Sequence, residues 1–322
     1  MRIVCLDSYT AVNGLPYDNP LAPIAALGEF VEHDHTPAEL TVERARGAEA
    51  VITNKTLLKT DVLGELPDLR YIGLLSTGTN VVDLDTARAQ GITVTNVPGY
   101  STDSVAQHIF ALMLHFASRA ADHHASVAQG DWPVSRDFSY LVTPLTELAG
   151  KTLAIIGMGA IGSATARIGH AFGMRVTTVE RPHRTPAVEG VPLEVLPMDE
   201  VLASADYLSL SCPLNRTTHH LIDEAAIAKM KPSAVLINTG RGPLIDEAAV
   251  AKALHDGRLA GLGVDVLSAE PPDADHPVLS APNTVITPHV AWATTEARTR
   301  LIGIVAENLA AWQRGEPVNV VS

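Results

Sequence analysis

Leu153-Ala154-Ile155-Ile156-Gly157-Met158-Gly159-Ala160-Ile161-Gly162 runs an apolar strand into a glycine-rich turn, and the turn opens an apolar helical segment, Ile161 to Phe172, that Gly173 can end. A strand that passes through G-x-G-x-x-G into a helix brings backbone close to a pyrophosphate. Gly157 permits the tight turn, Gly159 lets the main chain approach the phosphates, and Gly162 lets helix and strand pack closely. The start of the helix offers free N–H groups and a partial positive charge to an anion. A second strand, Arg175 to Val179, follows, and Glu180 stands at its carboxyl end, 18 residues after Gly162. A carboxylate there accepts hydrogen bonds from ribose hydroxyls and repels a 2′-phosphate, so the pattern predicts NAD. Arg181 and Arg184 come next and leave NADP open, because arginines suit a 2′-phosphate.

Strand-like runs extend the pattern in both directions. Downstream lie Tyr207 to Ser211, Ala234 to Asn238, Gly261 to Val266 and Thr284 to Thr287. Upstream lie Ile3 to Leu6, Phe30 to His33, Ala50 to Thr53, Tyr71 to Leu75 and Ile92 to Thr95, with helical segments such as Asp83 to Gln90 between them. Strands alternating with helices predict α/β architecture with parallel, doubly wound sheets. A chain of 322 residues is longer than one core usually serves, and Pro98-Gly99 breaks the pattern, so two domains are expected. The expected dinucleotide-binding domain spans 100–289. A long helix, Thr102 to His123, is expected after the break, and the segment from Gln129 to Thr146 is expected to be irregular, with Trp132, Phe138 and Tyr140 suited to lining a cleft.

Composition narrows the partners. The net charge of −13 disfavours nucleic acid and anionic lipid as general partners. No run of 18 or more apolar residues suggests a membrane span, and the N-terminal apolar run is too short for a signal peptide. The two cysteines, Cys5 and Cys212, form no CxxC, which fits a reducing cytoplasm and neither a zinc ribbon nor a disulfide framework. The adjacent pairs His123-His124 and His219-His220 do not aim both rings at one ion, so no metal is expected.

Three later strand ends carry chemistry. Asn238-Thr239-Gly240-Arg241-Gly242 sets an arginine between glycines, where its guanidinium fork can pair with a carboxylate. Asp265 and Glu270 follow the next strand, and His289 follows the last. Ligands of such sheets bind outside the carboxyl ends of the strands. A cation, a carboxylate and a histidine there make an acid–base site. Hydride arriving at C2 of a 2-keto acid leaves charge on the carbonyl oxygen, which a protonated His289 can neutralise. Glu270 can orient the ring and favour its charged form, while Arg241 holds the substrate carboxylate and polarises the carbonyl.

With those residues and Cys212-Pro213-Leu214, Thr217-Thr218, Met230-Lys231-Pro232, Gly263-Val264-Asp265-Val266 and Glu270-Pro271-Pro272, the chain resembles the D-isomer-specific 2-hydroxyacid dehydrogenases over nearly its whole length. The resemblance implies a catalytic set of Arg241, Glu270 and His289. It implies cofactor contacts from Ala160, Ile161, Glu180, Cys212, Pro213, Thr218, Thr239 and Asp265, and backbone N–H groups near Thr77 and Gly78 that meet the substrate carboxylate. A flavodoxin-like substrate domain (1–99 with 290–322), a Rossmann NAD domain and a cleft between them are implied as well. So is a homodimer served by the Thr102–His123 helix.

Leu75 to Asp83 and Ile286 to Thr294 are similar to the bacterial hydroxypyruvate reductases, also called glycerate dehydrogenases. Ala291 stands where many relatives have glycine, a departure this subgroup shares. Trp292 is expected to close a small pocket, which suits hydroxypyruvate or glyoxylate over branched keto acids. Two alternatives accompany this reading. Another C2 acid or phosphite is one, although a phosphite enzyme is expected to carry a lysine in the loop where this chain has Thr77. An NAD-sensing binding module like the C-terminal-binding corepressors is the other.

Overall fold

The computed structural model describes residues 1–180 and 186–322, so Arg181 and Arg184 lie outside the described residues. The chain divides into two compact units, Met1–Ser101 with Ala293–Ser322, and Thr102–Trp292.

In the first unit five parallel strands, β1 (Arg2–Cys5), β2 (Glu29–Glu32), β3 (Ala50–Thr53), β4 (Tyr71–Leu74) and β5 (Thr93–Thr95), lie in the order β2-β1-β3-β4-β5. This is the flavodoxin-like order. Strands β3 and β4 are buried throughout, so Val51, Ile52, Ile72 and Leu74 read as continuous apolar runs without alternation. The helix Thr295–Gln313, capped by the Thr294 hydroxyl accepting from the Ala297 N–H, belongs to this unit. Its Trp312 ring lies 5.0 Å from that of Tyr71. The residues after it run antiparallel beside β5, where the Val321 N–H donates to the Val94 carbonyl and the Asn96 N–H to that of Asn319. Buried Asn308 ties both segments, donating to the Asn96 carbonyl at 3.0 Å and accepting from Asn319 Nδ2 at 2.8 Å.

Among the described residues the second unit has seven strands: β6 (Thr152–Ile156), β7 (Arg175–Val179), β8 (Leu193–Leu196), β9 (Tyr207–Leu210), β10 (Val235–Asn238), β11 (Gly261–Val264) and β12 (Thr284–Ile286). All pair in parallel, in the order β12-β11-β10-β9-β6-β7-β8. The chain winds outward from β6 to β8, then crosses back to β9. The carboxyl ends of β6 and β9 therefore flank the switch point where such sheets bind ligands. The edge strand β8 is absent from the expected set. Its side chains are only partly buried, and Glu194 interrupts its apolar run to face Arg175 on β7 at 3.6 Å.

The helix expected over Thr102–His123 is two helices, Thr102–Ser118 and Ala120–Gln129, broken at Arg119 in the left-handed region (φ 48°). The Arg119 guanidinium lies over the Phe116 ring and within 3.4 Å of Asp122, so the break is bridged by its own side chain. The apolar face of the first helix is buried within its own unit. A side-chain carbon at Gly261 would fall 2.7 Å from the Phe116 ring, and one at Gly263 would fall 3.1 Å from Leu112 Cβ. Two glycines on β11 thus set how closely this helix lies on the sheet. The segment 131–150 forms neither helix nor strand. Trp132 and Phe138 are exposed there, Phe138 at 89%, and the Trp132 indole N–H donates to the Phe138 carbonyl. Tyr140 meets Ser126 instead, hydroxyl to hydroxyl at 3.0 Å.

Asp206 ties three strand starts together. Its carboxylate accepts from the Thr152 N–H and from Lys231 Nζ, both at 2.8 Å, and its carbonyl accepts from the Val235 N–H. Partial burial alone raises its pKa, but Lys231 and the Thr152 N–H outweigh that and hold the carboxyl below its usual range. A lowered folded-state pKa gives stability that is complete above the unfolded value near ~4 and fades as pH falls through the folded one. Asp206→Asn is therefore expected to cost about 1–3 kcal/mol at neutral pH. Thermal midpoints of the two proteins should converge as the pH falls below ~4, and a gap that stays constant with pH counts against this role.

Candidate active site

The glycine turn comes first. Gly157 adopts φ 111°, and a side-chain carbon there would sit 2.4 Å from the Cys212 nitrogen and 2.4 Å from the Ser211 carbonyl carbon. One at Gly162 would sit 2.0 Å from the Gly157 oxygen. Both positions must be glycine for the protein's own packing, the first where the turn presses on the end of β9 and the second where the helix start presses on the turn. Gly159 differs, because a side-chain carbon there meets nothing within 4 Å. Its backbone borders open space at the start of the helix Ala160–Ala171, which has no side-chain cap. Among the described residues nothing accepts from the N–H groups of Ala160 or Ile161. An open backbone face and uncapped N–H groups fit a dinucleotide pyrophosphate. Cys212 and Pro213 follow β9, and Thr218 closes their loop by donating to the Pro213 carbonyl at 2.7 Å while accepting from the Asn215 N–H. Glu180 is exposed at the end of β7, its N–H tied to the Leu196 carbonyl.

Three neighbouring strands carry the residues expected to form the acid–base site: Arg241 follows β10, Glu270 follows β11 and His289 follows β12. Buried Asn238 shapes the first turn, including Thr239, by accepting from the Gly240 N–H and donating to the Arg241 carbonyl. Arg241 is extended and exposed, with Nη1 donating to the Gly240 carbonyl. Gly242 then abuts the next loop: a side-chain carbon there would fall 2.0 Å from the Leu267 carbonyl carbon and 2.2 Å from the Ser268 nitrogen. The backbone beside Arg241 therefore rests directly on the loop that carries Glu270.

Glu270 and His289 meet. Oε2 of Glu270 lies 2.6 Å from His289 Nδ1, and Oε1 accepts from the Leu267 N–H at 3.0 Å. With Nδ1–H donated to the carboxylate, the opposite nitrogen, Nε2, is left for chemistry, and among the described residues it has no partner. His289 takes φ 54°, a strained conformation for a non-glycine residue. Its N–H is shared between the carbonyls of Asp265 and Thr287 at 2.8 and 3.0 Å.

Asp265, at 1% exposure, holds that turn. One carboxylate oxygen accepts from the Thr287 hydroxyl and the Val290 N–H, the other from the Ala291 N–H, all within 2.9 Å. Because the Thr287 hydroxyl gives its only hydrogen to Asp265, His108 Nε2 must donate to it across their 2.9 Å contact. Trp292 closes the same turn, its indole N–H donating to the His289 carbonyl at 2.9 Å. The positions of His108 and Thr287 behind the turn that bears His289 were not expected from the sequence. The available signal was a histidine set among the apolar residues of the Thr102–Ser118 helix.

In the first unit, Thr77 and Gly78 lie on the loop after β4. The Thr77 hydroxyl donates to the Val97 carbonyl and Asn96 Nδ2 donates to the Thr77 carbonyl, each at 2.7 Å. Among the described residues nothing accepts from the backbone N–H groups of Thr77 and Gly78. His219 and His220 stack, ring on ring at 4.0 Å, and no group of three metal-ligating side chains is found among the described residues.

Comparison with known proteins bears on this arrangement. Residues 110–291 match the family model described as "D-isomer specific 2-hydroxyacid dehydrogenase, NAD binding domain". The hydroxypyruvate reductase of Blautia hydrogenotrophica is 40% identical, over 100% of both chains. The glycerate dehydrogenase of Methylorubrum extorquens is 40% identical, over 91% of this chain and 92% of its own. The crystal structure of the TT0316 protein from Thermus thermophilus superposes with a TM-score of 0.88, at 34% identity and covering 100% of both chains. Sequence, sheet order and the NAD-binding domain agree, and the chain belongs to the D-isomer-specific 2-hydroxyacid dehydrogenase family.

Proposed function

We propose that this dehydrogenase reduces hydroxypyruvate and glyoxylate with NADH, giving D-glycerate and glycolate. The observation that carries the reading is the 2.6 Å contact between His289 Nδ1 and Glu270 Oε2, on strand ends next to that of Arg241. The substrate class is supported by the names of the Blautia and Methylorubrum relatives. The uncapped helix at Ala160, the open face of Gly159 and Glu180 at the end of β7 are the features that would hold the cofactor.

When bound, the reduced nicotinamide supplies the hydride that reaches C2 of the keto acid. As negative charge grows on the C2 oxygen, His289 donates its Nε2 proton, leaving a neutral imidazole and a product hydroxyl. Glu270 keeps Nδ1 protonated and the ring oriented, because its other oxygen is fixed by the Leu267 N–H. Arg241 pairs with the substrate carboxylate and polarises the carbonyl. In the reverse direction Nε2 takes the proton from the hydroxyl. Trp292, whose indole N–H donates to the His289 carbonyl, is the residue that would bound the space open to the substituent on C2 and so favour small acids.

The homodimer and the cytoplasmic location belong to this reading. Val134, Phe138 and Leu141 are exposed apolar side chains that a second copy could cover. Both cysteines are buried thiols outside any disulfide, as suits a reducing compartment, and burial pushes the Cys5 thiol far up, out of reactive range. Among the described residues no helix is long and apolar enough to cross a membrane.

NADH absorbance with hydroxypyruvate, glyoxylate, pyruvate and a branched keto acid tests the substrate. Fast oxidation with the first two and little with the branched acid is expected, and no oxidation with any of them would sink the reading. His289→Ala should lower turnover by roughly 10²–10⁴-fold while NADH fluorescence titrations stay unchanged; wild-type turnover would remove His289 from the mechanism. Glu180→Ala should narrow the preference for NADH over NADPH by roughly five- to tenfold, since one unfavourable charge pair is lost. An unchanged ratio would place cofactor choice elsewhere, with Arg181 and Arg184 as the next residues to vary.

A further inference from the structure

Glu247 and His276 take no part in the reaction as read above, yet they form a second, deeper carboxylate–imidazole pair. His276 Nε2 lies 3.1 Å from Glu247 Oε2, and the two side chains are only 13% and 10% exposed. His276 Nδ1 is buried and has no partner among the described residues, so the tautomer with its hydrogen on Nε2 is the one whose proton finds an acceptor. The other oxygen, Glu247 Oε1, accepts from the Ser268 N–H at 2.8 Å.

The location of this pair matters more than its chemistry. Glu247 opens the helix Glu247–His255, just after the short 3₁₀ turn Gly242–Leu244 that begins at Arg241. Its carboxylate grips the loop 265–276 twice, at Ser268 and at His276, on either side of Glu270. At the same place Gly242 packs against the Leu267–Ser268 peptide. The Leu267 N–H, one residue from that grip, is the donor that fixes Glu270 Oε1. A carboxylate buried to this depth is costly unless its acceptor sites are filled. Here the helix start favours the negative charge, and a backbone N–H and an imidazole fill its sites.

We propose that Glu247, with His276, is a positioning pair that ties the Arg241 segment to the Glu270 loop and so sets Glu270 where it can hold His289. The inference rests on the role read above for Glu270. The pair acts through backbone, and a displacement of about 1 Å at a catalytic group costs up to 10²-fold in rate. Loss of the clamp should therefore appear in turnover far more than in cofactor binding, because the glycine turn and Glu180, on the β6 and β7 ends, lie away from it.

The test measures kcat and KM for hydroxypyruvate, NADH affinity by fluorescence, and thermal midpoint for wild type, Glu247→Ala, His276→Leu, His276→Gln and Glu270→Gln, and for Glu247→Ala combined with Glu270→Gln. Glu247→Ala and His276→Leu should each lower kcat about tenfold with NADH affinity changed far less. His276→Gln, which keeps a donor for Glu247, should recover most of the loss. In the Glu270→Gln background, Glu247→Ala should cost little more, because it acts through Glu270. Folded variants with lowered midpoints but wild-type kcat would overturn the proposal, as would equal losses in both backgrounds. Should Glu247→Ala fail to fold, the contrast between His276→Leu and His276→Gln decides the matter. Wild-type turnover in Glu270→Gln is a separate outcome, which removes the role of Glu270 and the inference with it.

Discussion

The buried carboxylate of Asp265 sets the turn on which the position of His289 depends. It satisfies two backbone N–H groups and a hydroxyl of the turn that follows β12, and its own carbonyl takes the N–H of His289. A non-glycine residue at φ 54° resists that conformation unless its surroundings dictate it. Here four hydrogen bonds from one residue dictate it. The imidazole then reaches Glu270, whose carboxylate is fixed from behind by Leu267. The site is thus a stack of carboxylates, each with its lone pairs assigned: Asp265 shapes the turn, Glu270 orients the ring, and Glu247 lies behind the loop that bears Glu270.

That order explains why polar residues sit so deep in this domain. A buried carboxylate with unfilled acceptor sites weakens a fold, whereas one surrounded by backbone donors specifies a single loop conformation. Asn238 does the same after β10, where its amide accepts from Gly240 and donates to the Arg241 carbonyl. Parallel strands end in loops with no ladder to guide them, and in this chain side-chain amides and carboxylates take over that task at three neighbouring strand ends.

The parts of the fold set by period and punctuation were legible in the sequence. Apolar runs marked both parallel sheets, and the turn from Gly157 to Gly162 announced itself because two of its glycines are demanded by contacts under 2.5 Å. Arg241, Glu270 and His289 were expected after three strand ends and stand there, and the contact of the last two gives that expectation a geometry. Edge strand β8 was not legible, since a half-exposed strand carrying Glu194 lacks both alternation and a continuous apolar run. The break at Arg119 was hidden because an arginine usually continues a helix; the conformation is set by its ring and carboxylate contacts. His108 and Thr287 escaped notice because a hydrogen bond between a helix and a strand end, 179 residues apart, leaves no local pattern.

The tail beside β5 has a consequence for handling the protein. Strand β5 is the last strand of its sheet, and the residues from Asn319 to Ser322 cover its outer edge, with the Ser322 hydroxyl accepting from the Val94 N–H. An uncovered edge offers a row of free donors and acceptors to any other extended chain. The asparagines at 96, 308 and 319 therefore act as a guard against self-association as well as a clasp. A deletion of residues 319–322 would take Val321 from the first unit's core and leave this edge open as an aggregation template.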